Sequence, residues 1–170
     1  MKRLIVAGLA AGLLVAGSGT AVAVATVGKE SATAPRSTVA VAAHAKSPAA
    51  QATALFNRWN ASLATGDPET VADQYAADAV LLPTVDGKVH DTRAEIVEYF
   101  VEFLALHPRG TLVETHTRVL DPNALAFSGL YDFGLTRDGR SETIHARFTY
   151  VFQQRHGGWK IVEHHSSKKP

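Results

Sequence analysis

The residues with the clearest chemical potential lie in the C-terminal stretch, residues 146–170, which reads ARFTYVFQQRHGGWKIVEHHSSKKP. An imidazole or carboxylate held among apolar neighbours has a shifted pKa and can serve in acid/base chemistry. This stretch therefore supplies the first candidates for a functional site. The polar members that stand among its β-branched and aromatic residues are Arg147, Tyr150, Glu163, His164 and His165.

The adjacent pair His164–His165 invites a metal-binding interpretation. Neighbouring residues of a strand point to opposite faces, so the two imidazoles cannot bind one ion together. The remaining candidates, His90, His116 and His145, show no metal-type spacing. The chain has no cysteine, which excludes thiolate metal sites and thiol catalysis. We therefore expect no bound metal and no cofactor.

The residues can be compared with the needs of two kinds of enzyme, a serine hydrolase and an acid/base catalyst. A serine hydrolase needs a nucleophile on a GxSxG-type elbow, and the sequence contains none. Asp132 and His164 remain candidates for acid/base catalysis in an apolar pocket. The alternative is that both simply satisfy hydrogen bonds. The glycosylation sequon at Asn60 falls inside a predicted helix and is discounted.

The first 23 residues have the pattern of a signal peptide. Lys2 and Arg3 precede an apolar run over residues 4–15, and Ala21-Val22-Ala23 forms a small-residue cleavage site. The run is shorter than the roughly 20 apolar residues that a spanning helix needs. We expect a secreted or extracytoplasmic protein without a stable membrane anchor; the alternative is an uncleaved N-terminal anchor.

The mature chain is nearly neutral. The full sequence has 17 basic and 16 acidic residues, and removal of Lys2 and Arg3 leaves a net charge of −1. This balance argues against nucleic acid as a partner. Residues 24–46 are rich in Ala, Val, Thr and Ser without periodicity, which predicts a flexible linker. Residues 47–170 are long enough for one domain.

Helices are predicted in the first half of this domain. Ser47-Pro48 begins the first helix, and Gly66 ends it. Asp67-Pro68 begins a short second helix that carries Val71 and Tyr75 on one face. After two short strands, residues 79–83 and 88–90, Asp91 is predicted to cap a third helix over residues 92–106. Its glutamates form a solvated face.

Long alternating segments follow, over residues 112–120, 124–135, 142–155 and 159–166. Turn residues separate them at Asp121-Pro122-Asn123, Asp138-Gly139 and Gly157-Gly158. Helices followed by an antiparallel meander are typical of an α+β domain. A sheet of this length must curve, and the N-terminal helices can cover only its concave side. The pattern predicts a cone with an internal pocket.

Five segments of the domain carry a family resemblance: residues 54–60, ALFNRWN; residues 65–68, TGDP; residues 75–83, YAADAVLLP; ARFTYVF; and GWKIVEHHSS. In these segments the domain resembles the bacterial branch of the association domain of calcium/calmodulin-dependent protein kinase II. That branch lies within the nuclear-transport-factor-2-like superfamily, which also holds ketosteroid isomerase and SnoaL-like polyketide cyclases. The resemblance implies a cone-shaped α+β fold, dimerisation through the sheet and a pocket in the cone.

The departures from this family limit what can be transferred. The sequence has no Gly-rich phosphate loop, kinase catalytic loop or basic calmodulin-type helix, so neither kinase activity nor a calmodulin partner is expected. The kinase association domain lines its pocket with arginines, whereas the matching positions here are Tyr150 and Ser166. The resemblance therefore does not imply a carboxylate ligand. Nor does the chain carry the Asp base and Tyr/Asp pair of ketosteroid isomerase.

Hairpin register predicts which residues line the pocket. Asp138-Gly139 places Arg137 opposite Arg140, and hence Tyr131 opposite Ala146. For the last hairpin we prefer a three-residue loop over residues 155–157, because the resemblance implies a pocket that draws on the positions of Tyr150 and Ser166. This loop puts Val162, His164 and Ser166 on the aromatic face and Trp159, Glu163 and His165 on the other. A two-residue Gly157-Gly158 loop would exchange these faces. The predicted ligand-binding residues are Trp59, Tyr131, Phe148, Tyr150, His164 and Ser166.

Two functions follow. The first is a secreted small-ligand-binding or assembly domain, homodimeric and without turnover, whose ligand is a small organic molecule. The alternative is a cofactor-free isomerase, cyclase or dehydratase that uses the same pocket. The first is preferred because no acid/base constellation stands out in the sequence.

Overall fold

The structure is a computed structural model that describes residues 46–84 and 86–170. The predicted signal peptide, residues 1–23, and all but the last residue of the predicted linker, residues 24–46, lie outside the described residues. Both remain predictions. The described part coincides with the predicted domain, and none of its helices is long and apolar enough to cross a membrane.

Three helices begin where polar side chains cap them. Helix α1 spans Pro48–Leu63 behind the Ser47 hydroxyl, which accepts from the backbone N–H of Ala50. Helix α2 spans Pro68–Ala72, with the carboxylate of Asp67 as its cap.

Helix α3 spans Arg93–Leu104 and begins one residue later than predicted. Its cap is Thr92 rather than Asp91. The Thr92 hydroxyl accepts from the N–H of Glu95, and the Glu95 carboxylate accepts from the N–H of Asp91. This reciprocal arrangement is a capping box, in which a threonine followed three residues later by a glutamate satisfies two free N–H groups.

Five strands form one curved sheet. They are β1 Tyr75–Leu82, β2 Arg109–Asp121, β3 Ala124–Arg137, β4 Arg140–Arg155 and β5 Gly158–Lys168. Their order is β1-β5-β4-β3-β2, with β1 parallel to β5 and the other neighbours antiparallel. The predicted antiparallel meander is thus β2 to β5, and β1 makes the sheet mixed.

Strand β1 differs from its prediction in length. It begins at Tyr75, which the sequence pattern had assigned to the face of the second helix. The predicted short strand over residues 88–90 is reduced to a single bridge between His90 and Leu81. Tyr75 therefore belongs to the sheet, where it pairs with Ile161.

The helices cover the concave, inner face of the sheet, and the core lies between them. Trp59 and Phe56 of α1 and Phe100 of α3 are almost completely buried there. The Asn60 side chain ties α1 to β2, because it donates to the carbonyl of Gly110 and accepts from its N–H, both at 2.9 Å. Both polar atoms of the Asn60 amide are thus hydrogen-bonded within the fold, as expected for a glycosylation sequon that is not used.

The β3–β4 hairpin has the predicted register. Arg137 pairs with Arg140 and Tyr131 with Ala146. The two loop residues, Asp138 and Gly139, have positive φ angles of 51° and 72°. Such a turn follows the right-handed twist of the strands, which is why an Asp-Gly pair specifies the register.

The β4–β5 hairpin does not have the predicted three-residue loop; a two-residue turn and a β-bulge set its register instead. Arg155 pairs with Gly158 around a two-residue turn, and farther along Phe152 pairs with Ile161 while Val151 pairs with Glu163. Val162 is the extra residue of a β-bulge. A bulge adds one residue to one strand and so changes which face the following side chains occupy.

This bulge divides β5 into two parts with opposite alternation. Before it, Ile161 is buried on the inner face and Trp159 packs against the core, so the predictions of an outer Trp159 and an inner Val162 are wrong. Beyond it, His164 lies opposite Tyr150 on the inner face, as predicted, and His165 lies on the outer face.

Candidate functional site

A small cavity lies between the inner face of the sheet and the helices. It has a volume of about 30 Å³, which is room for roughly two water molecules. Its wall is mainly aromatic and aliphatic. The lining residues are Trp59, Leu81, Pro83, Thr84, Tyr99, Phe100, Phe103, Tyr131, Phe133, Leu135, Ile144, Ala146, His164 and Ser166.

His164, the first polar side chain on this wall, belongs to a chain of buried hydrogen bonds. The indole Nε1 of Trp59 donates to the Tyr75 hydroxyl at 3.1 Å. The same hydroxyl lies 2.8 Å from Nδ1 of His164. Helix α1, strand β1 and strand β5 each supply one member, so the chain forms only when all three elements are packed.

This chain favours one tautomer of His164. An indole N–H can only donate, so the Tyr75 oxygen accepts from Trp59. If the Tyr75 hydroxyl donates its single proton to His164 Nδ1, every polar atom of the chain up to Nδ1 is satisfied, whereas an Nδ1–H that donated to Tyr75 would leave the hydroxyl proton without a partner among the described residues. A neutral imidazole whose Nδ1 accepts carries its proton on Nε2. His164 therefore presents an N–H donor at Nε2.

That donor is not satisfied by the protein. His164 Nε2 is buried and has no hydrogen-bond partner among residues 46–84 and 86–170. A buried donor left without a partner costs about 1–3 kcal/mol. Such groups in a native protein call for an explanation, and a bound molecule or ordered water in the adjacent cavity supplies one.

His164 is also neutral. Burial, with a smaller contribution from neighbouring His165, lowers its pKa to about 3. Burial likewise raises the pKa of the Tyr75 hydroxyl well above its ordinary value. At neutral pH both groups of the chain are therefore uncharged, and His164 Nε2 can donate a hydrogen bond but cannot accept a proton.

A second polar group on the wall is self-contained. The Tyr131 hydroxyl donates to Ser166 Oγ at 2.6 Å, and Ser166 Oγ also hydrogen-bonds with Thr84 Oγ1. Burial raises the pKa of the Tyr131 hydroxyl well above its ordinary value. Two hydrogen bonds thus link these three hydroxyls, whereas His164 Nε2 has no partner among the described residues.

Two predicted ligand-binding residues do not line the cavity. Tyr150 is fully buried and stacks on the His164 ring with centroids 4.0 Å apart. Its hydroxyl has no partner in the described part of the chain. Phe148 packs between Phe56 and Tyr131, with centroid distances of 6.2 and 4.8 Å. Both pack against residues of the wall and are not themselves among the lining residues.

The other four predicted residues, Trp59, Tyr131, His164 and Ser166, do converge on the cavity. Their role in ligand binding stays a prediction. Sequence reasoning missed Tyr75, because its spacing from Val71 fitted a helix face. It also missed Thr84, which follows β1 directly.

Asp132, the second acid/base candidate, lies outside the cavity. It is on the outer face of β3, where its carboxylate is 2.7 Å from Nδ1 of His145 on β4. Alternation explains this position, since its neighbours Tyr131 and Phe133 point inward. Asp132 cannot act on a molecule bound beside His164.

No metal centre is evident in the described residues. Within residues 46–84 and 86–170, no three histidine or acidic side chains are grouped so that they could hold an ion. The cavity wall contains no aspartate, glutamate, lysine or arginine among its lining residues. Its chemistry is that of neutral donors and aromatic rings.

Comparison with known proteins agrees with this architecture. Residues 49–170 match the family model described as calcium/calmodulin dependent protein kinase II association domain. A solved structure from Xanthomonas campestris, assigned to the same association domain, is 44% identical, with a TM-score of 0.72 over 74% of this chain and 90% of that one. Among curated proteins, none matches the chain.

More distant structures share the fold alone. The hub homology domain of this kinase from Chlamydomonas reinhardtii is 20% identical with a TM-score of 0.62, over 74% of this chain and 100% of that one. A dehydratase-like member of the NTF2-like family from Streptomyces avermitilis is 17% identical with a TM-score of 0.63, over 72% of this chain and 97% of that one.

Proposed function

The chain belongs to the calcium/calmodulin dependent protein kinase II association domain family, and from that premise we propose that it is a self-associating extracytoplasmic domain that binds a small organic molecule in its cavity. The observation that carries the binding proposal is the unsatisfied Nε2–H of His164 on the wall of a mainly apolar cavity. Few polar groups in a mainly apolar cavity are the usual composition of a small-molecule site.

A thermal-shift screen with small metabolites tests the binding proposal. A ligand should raise the melting temperature of the wild type and of His165→Ala, since His165 lies on the outer face. The same ligand should not stabilise His164→Ala. If His165→Ala lost the response and His164→Ala kept it, the cavity beside His164 would not be the binding site.

Self-association is proposed through the outer face of the sheet. The family model names an association domain, and the algal relative is described as a hub homology domain. On the outer face of β3 and β4, Leu130, Thr149 and Val151 form a half-buried, uncharged strip. A second copy of the chain could cover this strip. Each Å² of apolar surface removed from water in this way would stabilise the dimer by about 25 cal/mol.

Light scattering of charge variants tests this surface. The wild type should be dimeric at micromolar concentration, and Val151→Lys should be monomeric because it places a charge in the strip. Val113→Lys is the matched control, since Val113 is 59% exposed on the edge strand β2. A monomeric wild type, or equal effects of both variants, would contradict the proposal.

Export completes the proposal. It is supported by the charged start, apolar run and small-residue site of residues 1–23. Expression of the full chain in a bacterial host, followed by intact-mass measurement of the exported fraction, should show loss of about 23 residues. A soluble species that still carries Met1 would refute export with cleavage.

The alternative is a cofactor-free isomerase, cyclase or dehydratase. Such an enzyme needs a proton acceptor beside its substrate. In this cavity the one titratable group with an unsatisfied nitrogen, His164, carries a proton on that nitrogen, and Asp132 lies on the other side of the sheet. This arrangement supports binding ahead of turnover. Recovery of the ligand chemically unchanged after prolonged incubation would agree with it.

A further inference from the structure

The chemistry of the cavity wall also bears on the class of ligand, an inference that rests on the proposed binding function. Among the described residues, the buried nitrogen on this wall that lacks a partner is His164 Nε2, a neutral donor. The hydroxyls of Tyr131, Ser166 and Thr84 are linked to one another, and the Tyr99 hydroxyl is a further neutral polar group on the wall. A ligand that satisfies this site must bring a hydrogen-bond acceptor to His164.

The wall offers no countercharge for an anion. None of the lining residues is lysine or arginine, and the imidazole of His164 is uncharged. Transfer of a carboxylate from water into apolar surroundings without a charged partner is strongly unfavourable. An uncharged carbonyl needs one donor and meets no such penalty.

We propose that the cavity binds a small, uncharged molecule whose carbonyl oxygen accepts a hydrogen bond from His164 Nε2, and that the Trp59–Tyr75 chain sets this preference by holding the His164 proton on Nε2. Trp59 and Tyr75 therefore act as positioning residues. If Nδ1 carried the proton instead, Nε2 would be an acceptor and the cavity would select alcohols or amines.

The tautomer can be read directly in the intact protein. Long-range ¹H–¹⁵N spectra distinguish an imidazole protonated at Nε2 from one protonated at Nδ1. His164 should show the Nε2–H pattern in the wild type. A Nδ1–H pattern would overturn the ligand class, whatever binds.

Small probes matched in size test the ligand class itself. Acetone and acetamide carry a neutral carbonyl, whereas acetate has the same size and a negative charge. In titrations followed at the His164 Nε2–H resonance at pH 7, acetone and acetamide should bind at least tenfold more tightly than acetate. Tighter binding of acetate would overturn the inference and leave the cavity as a ligand site.

Two tyrosine-to-phenylalanine variants isolate the positioning chain. Tyr75→Phe removes the acceptor of Trp59 and the donor to His164 Nδ1, so it should produce a mixture of tautomers and weaken acetone binding severalfold. Tyr150→Phe is the control, because Tyr150 stacks on the same ring but its hydroxyl contacts neither nitrogen. It should leave tautomer and binding unchanged.

The outcomes separate the two levels of the proposal. If none of the three probes perturbs His164 while the Nε2–H tautomer is present, both the binding function and the ligand class fail. If the probes bind equally to wild type and Tyr75→Phe, the cavity is a ligand site but the Trp59–Tyr75 chain does not determine its preference.

Discussion

The two faces of the sheet use the same strands for opposite purposes. On the inner face, the side chains of Tyr131 and His164 are almost completely buried, and the Tyr131 hydroxyl and His164 Nδ1 hydrogen-bond with other buried groups. On the outer face, the ion pairs Asp132–His145 and Glu114–His116 are in contact with solvent. Two adjacent histidines can therefore differ in their chemistry, as the buried His164 and the exposed His165 show.

The difference shows that residue type alone does not assign a role in this fold. His145 and His116 have carboxylate partners, yet both pairs are exposed and water screens them. His164 has no acidic partner. Its burial makes it the group with the strongest constraint on its proton.

The largest effect is expected where the inner face leaves no room for a side chain. Gly129 faces the backbone of β2, and a Cβ there would lie 1.8 Å from the carbonyl oxygen of Glu114. Gly129→Ala should lower the free energy of unfolding by about 3 kcal/mol or more, because the β2 backbone must shift. Urea denaturation measures this loss.

Gly134→Ala on the same strand is the control for that variant. A Cβ at Gly134 would meet only the Arg109 carbonyl, at 3.9 Å, an ordinary contact. Its effect on the free energy of unfolding should stay within about 1 kcal/mol. Equal losses for both variants would contradict the packing argument.

The pH dependence of stability should distinguish the two adjacent histidines. The pKa of His164 falls from 6.5 to about 3 on folding, so the unfolded chain takes up the proton first as the pH falls. Protonation of His164 in the unfolded chain therefore destabilises the fold. This destabilisation is absent above pH 6.5, grows between pH 6.5 and 3, and reaches about 2 kcal/mol at pH 5.

Substitution should remove this dependence at one position only. His164→Gln should flatten the loss of stability between pH 7 and 5 relative to the wild type, whereas His165→Gln should keep it, because His165 is exposed. Denaturation curves at both pH values give the comparison. An unchanged slope in His164→Gln would show that His164 is not buried and neutral.

A smaller contrast is expected between two buried tyrosines of the inner face. Tyr75→Phe leaves the Trp59 N–H and His164 Nδ1 without partners, which should cost about 2 kcal/mol of unfolding free energy. Tyr150→Phe removes a buried hydroxyl that has no partner in the described residues, so stability should be unchanged or higher. A larger loss for Tyr150→Phe would contradict the hydrogen-bond assignment.

The smallest effect is expected on the outer face. Glu114→Gln removes the ion pair with His116, in which both side chains are more than half exposed. The unfolding free energy should change by less than about 0.5 kcal/mol. If the unfolding free energy of the monomeric protein fell by more than about 1 kcal/mol, water would not be screening the Glu114–His116 pair as argued above.

The sequence alone determined the elements and much of the inner face. Local signals were sufficient for α1 and α2, since the Ser47 and Asp67 side chains cap the helices and the prolines that follow suit the first helical position. The Asp138-Gly139 turn likewise set the β3–β4 register, because this pair strongly favours a two-residue loop. Alternation along β3 and β4 then placed Tyr131 and Phe148 inside without any tertiary information.

Only the tertiary structure decided what surrounds His164. The bulge at Val162 has no strong local signal, and it lies where β5 pairs with β4 on one side and with β1 on the other. Tyr75 joins the site through the parallel pairing of β1 with β5, a contact between residues 86 positions apart, Tyr75 and Ile161. The tautomer of His164 depends on this long-range pairing, and no spacing in the sequence encodes it.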